Sequence, residues 1–333
     1  MTLPNSIALQ SGQKIPLVGL GTWQAKSEEV KAALEEALKA GYRHIDTAFN
    51  YTNEETIGNV LKEWMDAGKI KRNDIFITTK LPHFGNRPSD VPKYLKKSLQ
   101  RLQLDYVDLY LFHHPFAFLP DSSGEVPAEE NGNWVLDKGT DHLAIWKALE
   151  EQVDAGKAKG IGLSNFNISQ IDRIIKNSRI PPVVLQVELH AYFQQKEIRH
   201  YCKEQGITVI AYSPLGSPGA KAHFMKKYNY SPDKFPDVLG TPAVSELAFK
   251  YKKTPAQILL RHLVQSGIPV IPKSANPDRI KQNFEIFDFD LSDSEMTQLD
   301  ALDQGENGRI FDFLCWKGVQ DHPEYPFQKI STA

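Results

Sequence analysis

A carboxylic acid and a phenol lie five residues apart, just after a short apolar segment of the sequence. They are Asp46 and Tyr51. A phenol is a weak acid near neutral pH, with an ordinary pKa of about 10, so a tyrosine that donates a proton there needs a cation or a second acid beside it. Two later apolar segments end in side chains that would help, Lys80 and His113. These four residue types together are suited to protonating a carbonyl oxygen.

Three of the four residues have an ordinary structural explanation when each is taken alone. Tyr51 would be a loop aromatic, Asp46 a helix-cap or turn residue and Lys80 a solvated strand end. Taken together, Asp46 and Lys80 would form a partly buried ion pair, and the ammonium group of Lys80 would lower the pKa of Tyr51. His113 would then orient an oxygen atom beside the phenol.

Alternating apolar and amphipathic segments indicate how these residues are brought together. Strands are predicted at 18–21, 44–48, 75–79, 107–112, 159–163, 184–189, 208–212 and 269–271. Helices are predicted at 27–40 with Ser27 as N-cap, and at 53–65, 89–102, 141–155, 169–177, 195–204, 241–251 and 277–286. Eight strand-then-helix units close an α/β barrel of the (β/α)8 TIM type, whose active site lies at one rim. We therefore predict one barrel domain over residues 1–333, with an N-terminal β-hairpin at 7–17.

Three long segments interrupt the short connections, at 115–140, 214–240 and 303–333. Loops of this length in a compact domain are usually functional. The first two follow strands and should lie at the C-terminal rim with Tyr51. The last follows the eighth helix and could cover either end of the barrel.

An open, doubly wound sheet is the structural alternative to the barrel. It would be supported by a dinucleotide-binding glycine fingerprint. The pairs Gly19 with Gly21 and Gly160 with Gly162 both lack the third glycine of that fingerprint. The barrel is therefore favoured.

Composition excludes several classes of function. The 333 residues carry a formal net charge of -2, with 41% hydrophobic and 24% charged residues, which is ordinary for a globular protein. Without a basic excess, nucleic acid is not expected as a partner. We expect no membrane partner and a cytoplasmic location, because the chain shows no secretory signal, no apolar segment of membrane-spanning length and only two cysteines.

Metal and serine chemistry are both disfavoured. His113 and His114 are neighbours on an extended segment, so their side chains are expected on opposite faces, with no third ligand at a recognisable spacing. No metal is predicted. The Gly-x-Ser-x-Gly elbow of a nucleophilic serine is also missing.

Several segments resemble signature sequences of the aldo-keto reductase family, aldose reductase-like members included. They are GLGTW at 19–23, GYRHIDTA at 41–48, LYLFH at 109–113 and IPKS at 271–274. The resemblance extends from about Ile7 to Phe327 and follows the family's order of motifs. It implies that Tyr51 is the general acid, that Asp46 and Lys80 tune it, and that His113 orients the carbonyl group.

The resemblance also implies NADPH (NADP) as cofactor, bound in an extended pose without a Rossmann fold. The residues implied to bind it are Gly21 and Thr22; Ser164, Asn165 and Gln186 at the nicotinamide amide; Tyr212 against the ring; Ser213, Leu215 and Ser217 along the pyrophosphate; and Lys273, Ser274, Asn276, Arg279, Gln282 and Asn283 at the adenosine end. Lys273 and Arg279 flank a predicted helix start, where a 2'-phosphate would be well accommodated. A surface basic pair that caps the helix is the alternative.

Four positions depart from the family pattern. His114 and Pro82 stand where tryptophans are usual, Ala191 where proline is common, and Gln282 where glutamate is common, although an amide oxygen still accepts from an adenine amino group. The predicted substrate pocket is largely apolar and aromatic and consists of Trp23, His114, Phe116, Phe118, Trp134, Leu314 and Trp316. Alternatively, the loop aromatics pack the loops onto the barrel.

The predicted activity is NADPH-dependent reduction of aldehydes and ketones to alcohols by a monomer, with a small carbonyl compound as its partner. One alternative is an NAD(P)-dependent hydroxysteroid or polyol dehydrogenase, which uses the same residues in reverse. A second alternative is a non-catalytic, cofactor-binding regulatory subunit, because fold does not prove activity. A regulatory subunit would be expected to have a damaged quartet or an added binding segment.

Overall fold

The structure is a computed structural model that describes residues 5–328. The remaining residues of the predicted domain and of the predicted tail lie outside this range. The strands are β1 (Ser6–Ala8), β2 (Lys14–Pro16), β3 (Leu20–Gly21), β4 (His44–Asp46), β5 (Phe76–Leu81), β6 (Leu109–Phe112), β7 (Glu129–Glu130), β8 (Asn133–Trp134), β9 (Ile161–Ser164), β10 (Val184–Glu188) and β11 (Thr208–Tyr212). The helices are α1 (Ser27–Ala40), α2 (Glu54–Asp66), α3 (Asp90–Leu102), α4 (His142–Asp154), α5 (Ile168–Asn177), α6 (Lys196–Glu204), α7 (Lys221–Tyr228), α8 (Pro242–Tyr251), α9 (Pro255–Gln265), α10 (Pro277–Phe284) and α11 (Asp293–Asp300).

Seven strands form one sheet in the order β11-β10-β9-β6-β5-β4-β3. The pairs β3–β4, β5–β6, β6–β9 and β9–β10 are parallel. These strands are almost entirely buried, as expected where helices cover a parallel sheet. The antiparallel pairs β1–β2 and β7–β8 are separate hairpins, and the first confirms the predicted N-terminal hairpin.

The predicted eighth strand at 269–271 is reduced to a single bridging residue. Val270 makes parallel bridges to both Val18 and Ala211, which lie next to β3 and within β11. Its carbonyl accepts from the amide of Gly19 at 2.8 Å, and its own amide donates to Leu17 at 2.9 Å. Prolines at 269 and 272 lack the N–H groups that a longer ladder requires. The bridges on both sides of Val270 complete the predicted (β/α)8 barrel.

The described chain divides into two compact units. The first contains residues 5–46, 187–204 and 208–311, and the second contains residues 47–186, 205–207 and 312–328. That the whole chain acts as one domain stays a prediction.

Helix packing in the first unit joins distant parts of the sequence. The hydroxyl group of Tyr42, just after α1, donates to the carbonyl of Ile280 in α10 at 2.9 Å, and the ring of Tyr42 lies 4.8 Å from that of Phe284. Helices α8, α9 and α11 share a buried cluster that includes Val244, Ile258 and Leu299. Burial of these apolar side chains is the main source of stability for such a layer.

Several elements were missing from the sequence interpretation. It placed no helix at α7, α9 or α11 and no strands at β7 and β8. The start of α9 carries a clear signal, because Thr254 and Gln257 form a reciprocal capping box and Pro255 occupies the first turn. The predicted N-cap of α1 was wrong by one residue, since Lys26 is the cap and Ser27 is already helical.

No helix among residues 5–328 is long and apolar enough to span a lipid bilayer.

A buried carboxyl group joins three elements of the second unit. Glu54, the first residue of α2, accepts hydrogen bonds from the hydroxyl groups of Thr79 in β5 at 2.7 Å and Ser98 in α3 at 3.1 Å. Arg101 lies 3.9 Å away. Burial raises the pKa of Glu54, although these partners oppose the shift. Glu54 therefore fixes the start of α2 against β5 and α3.

Replacing Glu54 with alanine should destabilise the protein by roughly 2 to 4 kcal/mol, because buried polar partners are left unsatisfied. Urea unfolding monitored by circular dichroism measures the change. Glu55→Ala is the matched control, since Glu55 is the next residue of the same helix and is exposed. Equal unfolding midpoints for the two variants would show that the Glu54 network does not stabilise the fold.

Candidate active site

The phenol of Tyr51 is positioned by a short 3-10 helix, Phe49–Tyr51, that follows β4. Phe49 is buried and packs edge-on against Tyr94 at 5.0 Å between ring centroids. The hydroxyl group of Thr47 donates to the side-chain oxygen of Asn53 at 2.9 Å, which ties the segment before the 3-10 helix to the residue before α2. These contacts on both sides hold the turn that presents Tyr51.

Lys80 lies within β5, is fully buried and points to the same place as Tyr51. Its Nζ atom donates to the carbonyl oxygen of Thr47 at 2.8 Å and lies 3.4 Å from the Oη atom of Tyr51. A buried ammonium group at this distance stabilises negative charge that develops on the phenol oxygen. The structure therefore brings these two predicted residues together.

Asp46 belongs to the first unit and ends β4. It is 2% exposed, and its backbone carbonyl accepts hydrogen bonds from the amide of Thr22 at 3.2 Å and from the Thr22 hydroxyl group at 2.9 Å. Thr22 is thus held against the end of β4. The predicted ion pair between Asp46 and Lys80 stays a prediction.

His113 lies one residue beyond β6 and faces Tyr51, with 6.0 Å between the ring centroids at an interplanar angle of 72°. Burial, reinforced by the charges of His114 and Lys80, holds the pKa of His113 well below its ordinary value. The imidazole is therefore neutral at physiological pH and carries one N–H donor and one acceptor. A neutral donor beside the phenol is suited to a carbonyl oxygen.

The expectation that His113 and His114 point to opposite faces is wrong. Their ring centroids are 4.2 Å apart with an interplanar angle of 30°. Side chains alternate only while the backbone is a regular strand, and β6 ends at Phe112. Even so, no group of three or more His, Cys, Asp or Glu residues that could hold a metal occurs within 5–328.

A third histidine, His83, joins this group and was missed in the sequence. Its Nδ1 atom is hydrogen bonded to the side-chain amide of Asn50, and its ring lies 5.7 Å from that of His114. Burial lowers the pKa of His83 to about 3. The available signal was its position, three residues after Lys80, where the chain leaves β5 at the same end.

Aromatic side chains from the long loop and the tail surround His83. Trp316 stacks on it at 5.1 Å and 21°, Phe118 meets it edge-on at 5.2 Å, and Trp134 lies at 5.2 Å. Phe118 is almost fully buried, whereas Trp134 and Trp316 are partly exposed. The two tryptophans therefore offer the aromatic surface that a ligand can touch.

The other predicted pocket residues have different surroundings. Phe116 is completely buried and packs on Phe313 at 5.4 Å, which fits the alternative that loop aromatics pack the loop. Leu314 is partly exposed on the tail. Trp23, in the first unit, meets Phe311 edge-on at 5.7 Å. A role in substrate binding stays a prediction for all of these residues.

The tail is fastened to the second unit by polar contacts. The carboxylate of Glu324 accepts from Arg173 at 2.8 Å and from Gln170 at 3.1 Å, both in α5. His322 contacts the carbonyl oxygen of Asp137 at 2.7 Å. Because Trp316 stacks on His83, residues 312–328 lie at the end of β5 near Tyr51, a placement that the sequence left open.

Two groups of predicted cofactor residues form local arrays. In the second unit, Asn165 adopts a left-handed φ of 66°, its amide donates to the carbonyl of Gln186 at 3.1 Å, and its side chain donates to the Ser164 hydroxyl group at 3.1 Å. In the first unit, the hydroxyl group of Ser217 donates to that of Ser213 at 2.6 Å.

Three further predicted cofactor residues, Tyr212, Leu215 and Gly21, lie in the first unit with the Ser213–Ser217 pair. The ring of Tyr212 lies 6.0 Å from Phe311 and is partly exposed. Leu215, also partly exposed, packs against the apolar cluster of α8, α9 and α11. A Cβ atom on Gly21 would lie 2.5 Å from the carbonyl oxygen of Ile271, so close backbone packing alone requires this glycine.

The start of α10 carries the predicted adenosine-binding residues. Asn276 caps the helix by accepting from the amide of Arg279 at 2.9 Å, and Ser274 accepts from the amide of Asn276 at 3.2 Å. Lys273 and Arg279 are exposed, and within residues 5–328 neither has an ion-pair partner. Gln282 is partly exposed and Asn283 is buried. Two unpaired cations beside a helix N-terminus fit a phosphate group.

Comparison with known proteins decides the family. The family model "Aldo/keto reductase family" matches residues 17–304. The chain belongs to the aldo/keto reductase family. Aldo-keto reductase family 1 member A1 from Gallus gallus is 45% identical over 328 residues, 96% of this chain and 97% of that protein. The Homo sapiens protein of the same description is 44% identical over 329 residues, 96% of this chain and 97% of that protein.

A solved structure is similar over nearly the full length of this aldo/keto reductase. The structure of the aldose reductase from Schistosoma japonicum matches with a TM-score of 0.87 and 40% identity, covering 98% of this chain and 99% of that chain. The chain is therefore an oxidoreductase that acts on aldehydes and ketones. Members of this family use nicotinamide dinucleotides for that chemistry.

The buried histidines of this aldo/keto reductase make its stability depend on pH. The pKa of His83 is about 3 in the folded protein against 6.5 for an ordinary histidine. The unfolded chain therefore binds more protons, so the contribution of His83 is complete above about pH 6.5 and is lost as the pH falls.

Replacing His83 with phenylalanine should make the loss of stability between pH 6 and pH 4 shallower, by up to about 1.4 kcal/mol per pH unit. Urea midpoints measured across this range test the effect. His200→Phe is the control, because His200 is exposed on α6. The assignment fails if both variants keep the slope of the parent protein.

Proposed function

We propose that this aldo/keto reductase reduces aldehydes and ketones to alcohols with NADPH, and that Tyr51 is the proton donor. The observation that carries the proposal is the distance of 3.4 Å between the buried Nζ atom of Lys80 and the Oη atom of Tyr51. His113 completes the arrangement, since its neutral ring faces the phenol. NADPH, when bound, supplies hydride to the carbonyl carbon.

The protein's own residues handle the proton. The Oη atom of Tyr51 gives its proton to the carbonyl oxygen as negative charge develops there, and the ammonium group of Lys80 stabilises the resulting phenolate. The hydrogen bond from Lys80 to Thr47 fixes the direction of the ammonium group. His113 orients the carbonyl oxygen through an N–H donor. We assign Asp46 the role of keeping Lys80 charged.

The cofactor residues present in the chain fit a dinucleotide that carries a 2'-phosphate. Lys273 and Arg279 would hold that phosphate at the start of α10, and Ser213 and Ser217 would line the pyrophosphate. Support comes from the exposure of the two cations and from the hydroxyl pair 2.6 Å apart. Ser164, Asn165 and Gln186 would hold the nicotinamide amide, and Tyr212 would stack on the ring.

Turnover of a simple aromatic aldehyde with NADPH tests the proposal directly. A regulatory subunit would bind the cofactor without turnover. A dehydrogenase that works in the reverse direction would show a higher kcat/KM for an alcohol with NADP+ than for the corresponding carbonyl compound. We propose that the chain acts as a monomer, which sedimentation in the same buffer measures.

Tyr51→Phe and Lys80→Met should each lose most of the turnover while NADPH still binds, because the proton donor is damaged and the cofactor residues are not. Steady-state kinetics and a fluorescence titration with NADPH measure the two properties separately. Tyr106→Phe is the matched control, because Tyr106 lies outside the site and pairs its hydroxyl group with Asn73. Near-normal turnover of Tyr51→Phe would overturn the assignment.

Lys273→Ala and Arg279→Ala should each weaken NADPH binding about tenfold or more and change NADH binding much less. A charge-assisted contact to the 2'-phosphate is worth roughly 1.5 to 3 kcal/mol. Binding titrations with both cofactors check this. Lys281→Ala is the control, because Lys281 lies on the same helix and pairs with Glu285. Equal losses for NADPH and NADH would mean that the two cations do not recognise that phosphate.

A further inference from the structure

Four buried polar atoms without hydrogen-bond partners lie together beside Tyr51. They are Oδ1 of Asn50, Nε2 of His83, Nδ1 of His113 and Nδ1 of His114, and no residue within 5–328 bonds to any of them. More than nine in ten buried polar groups in proteins are paired, so several orphans at one place call for an explanation. We call these four residues the imidazole cluster.

The imidazole cluster extends outward from the proposed proton donor. The ring centroids are 6.0 Å apart between Tyr51 and His113, 4.2 Å between His113 and His114, and 5.7 Å between His114 and His83. The three histidines are between 4% and 7% exposed. A substrate whose carbonyl oxygen lies at Tyr51 would therefore place its neighbouring atoms along this line of rings.

The hydrogen-bond pattern defines what the cluster recognises. The side-chain nitrogen of Asn50 only donates, so Nδ1 of His83 accepts and Nε2 of His83 carries the proton. The cluster thus presents an orphan donor on His83 and an orphan acceptor on Asn50. A hydroxyl group both accepts and donates, whereas a carboxylate would leave the Asn50 oxygen unpaired.

Charge supports the same choice of ligand. Burial holds the pKa values of all three histidines well below the ordinary value, so the rings carry no charge with which to attract an anion. Three aromatic side chains pack around His83 of the cluster, Phe118, Trp134 and Trp316. The surroundings therefore suit a hydroxyl group on a largely apolar skeleton.

We infer that the imidazole cluster is a substrate subsite, and that the preferred substrates are apolar aldehydes or ketones that also carry a hydroxyl group, which His83 and Asn50 bind. This inference rests on the proposed carbonyl reduction at Tyr51. The Nε2 atom of His83 is buried, so neighbouring side chains must shift for a hydroxyl group to reach it. His83 and Asn50 are thus specificity-determining residues, distinct from the proton donor.

The test compares matched substrates that differ in one polar atom. The pairs are 3-hydroxymethylbenzaldehyde with 3-ethylbenzaldehyde, and the corresponding 4-substituted aldehydes, each assayed with NADPH. The parent enzyme should show a higher kcat/KM for at least one hydroxymethyl aldehyde than for its ethyl partner. A site that pairs a substrate hydroxyl group discriminates against an analogue that lacks it, because its own polar atoms then stay unsatisfied.

His83→Phe keeps a flat ring but removes the donor, and Asn50→Leu removes the acceptor at similar size. Each should reduce the preference for the hydroxymethyl aldehyde about tenfold, while kcat/KM for the ethyl aldehyde changes less than about threefold. That second value also shows that the variant is folded and active. His200→Phe, on the exposed surface, should leave both values unchanged.

The possible failures are distinguishable. If the parent reduces none of the four aldehydes with NADPH, the proposed function itself is wrong. If it reduces them but prefers neither member of a pair, or if His83→Phe affects both members equally, the subsite is overturned and carbonyl reduction stands.

Discussion

The rest of this site depends on the buried ammonium group of Lys80. Transferring an ammonium group from water into a protein interior is costly unless strong partners compensate, so Lys80 depends on its hydrogen bond to Thr47 and on its proximity to the Tyr51 phenol. Those partners must in turn be held still. The packing of Phe49 on Tyr94 and the bond from Thr47 to Asn53 provide that rigidity.

The same cation adds to the effect that keeps His113 and His114 neutral. Burial is the larger cause of their lowered pKa values, and the charge of Lys80 adds to it for His113 and His114. A protonated imidazole here would place a second positive charge in a poorly hydrated region. The side chains around Tyr51 therefore combine one cation with neutral imidazole donors and acceptors.

Outside the strands, polar contacts hold the elements that carry the rim. Glu54 links α2 to β5 and α3, and Glu324 fastens the tail to α5. The aromatic surface offered by Trp134 and Trp316 thus rests on a loop and a tail whose positions are fixed by polar contacts at a distance.

The sequence alone determined the alternation of strands and helices, because apolar periodicity is a local property that repeats along the chain. The barrel and the proximity of Tyr51 to Lys80 follow from that alternation, because parallel strands all end at the same rim. The tertiary structure decided the rest. Prolines reduced the eighth strand to Val270, and the end of β6 placed His113 beside His114. The tail lies at the end of β5 because Trp316 stacks on His83, a contact between residues more than two hundred positions apart that no local pattern encodes.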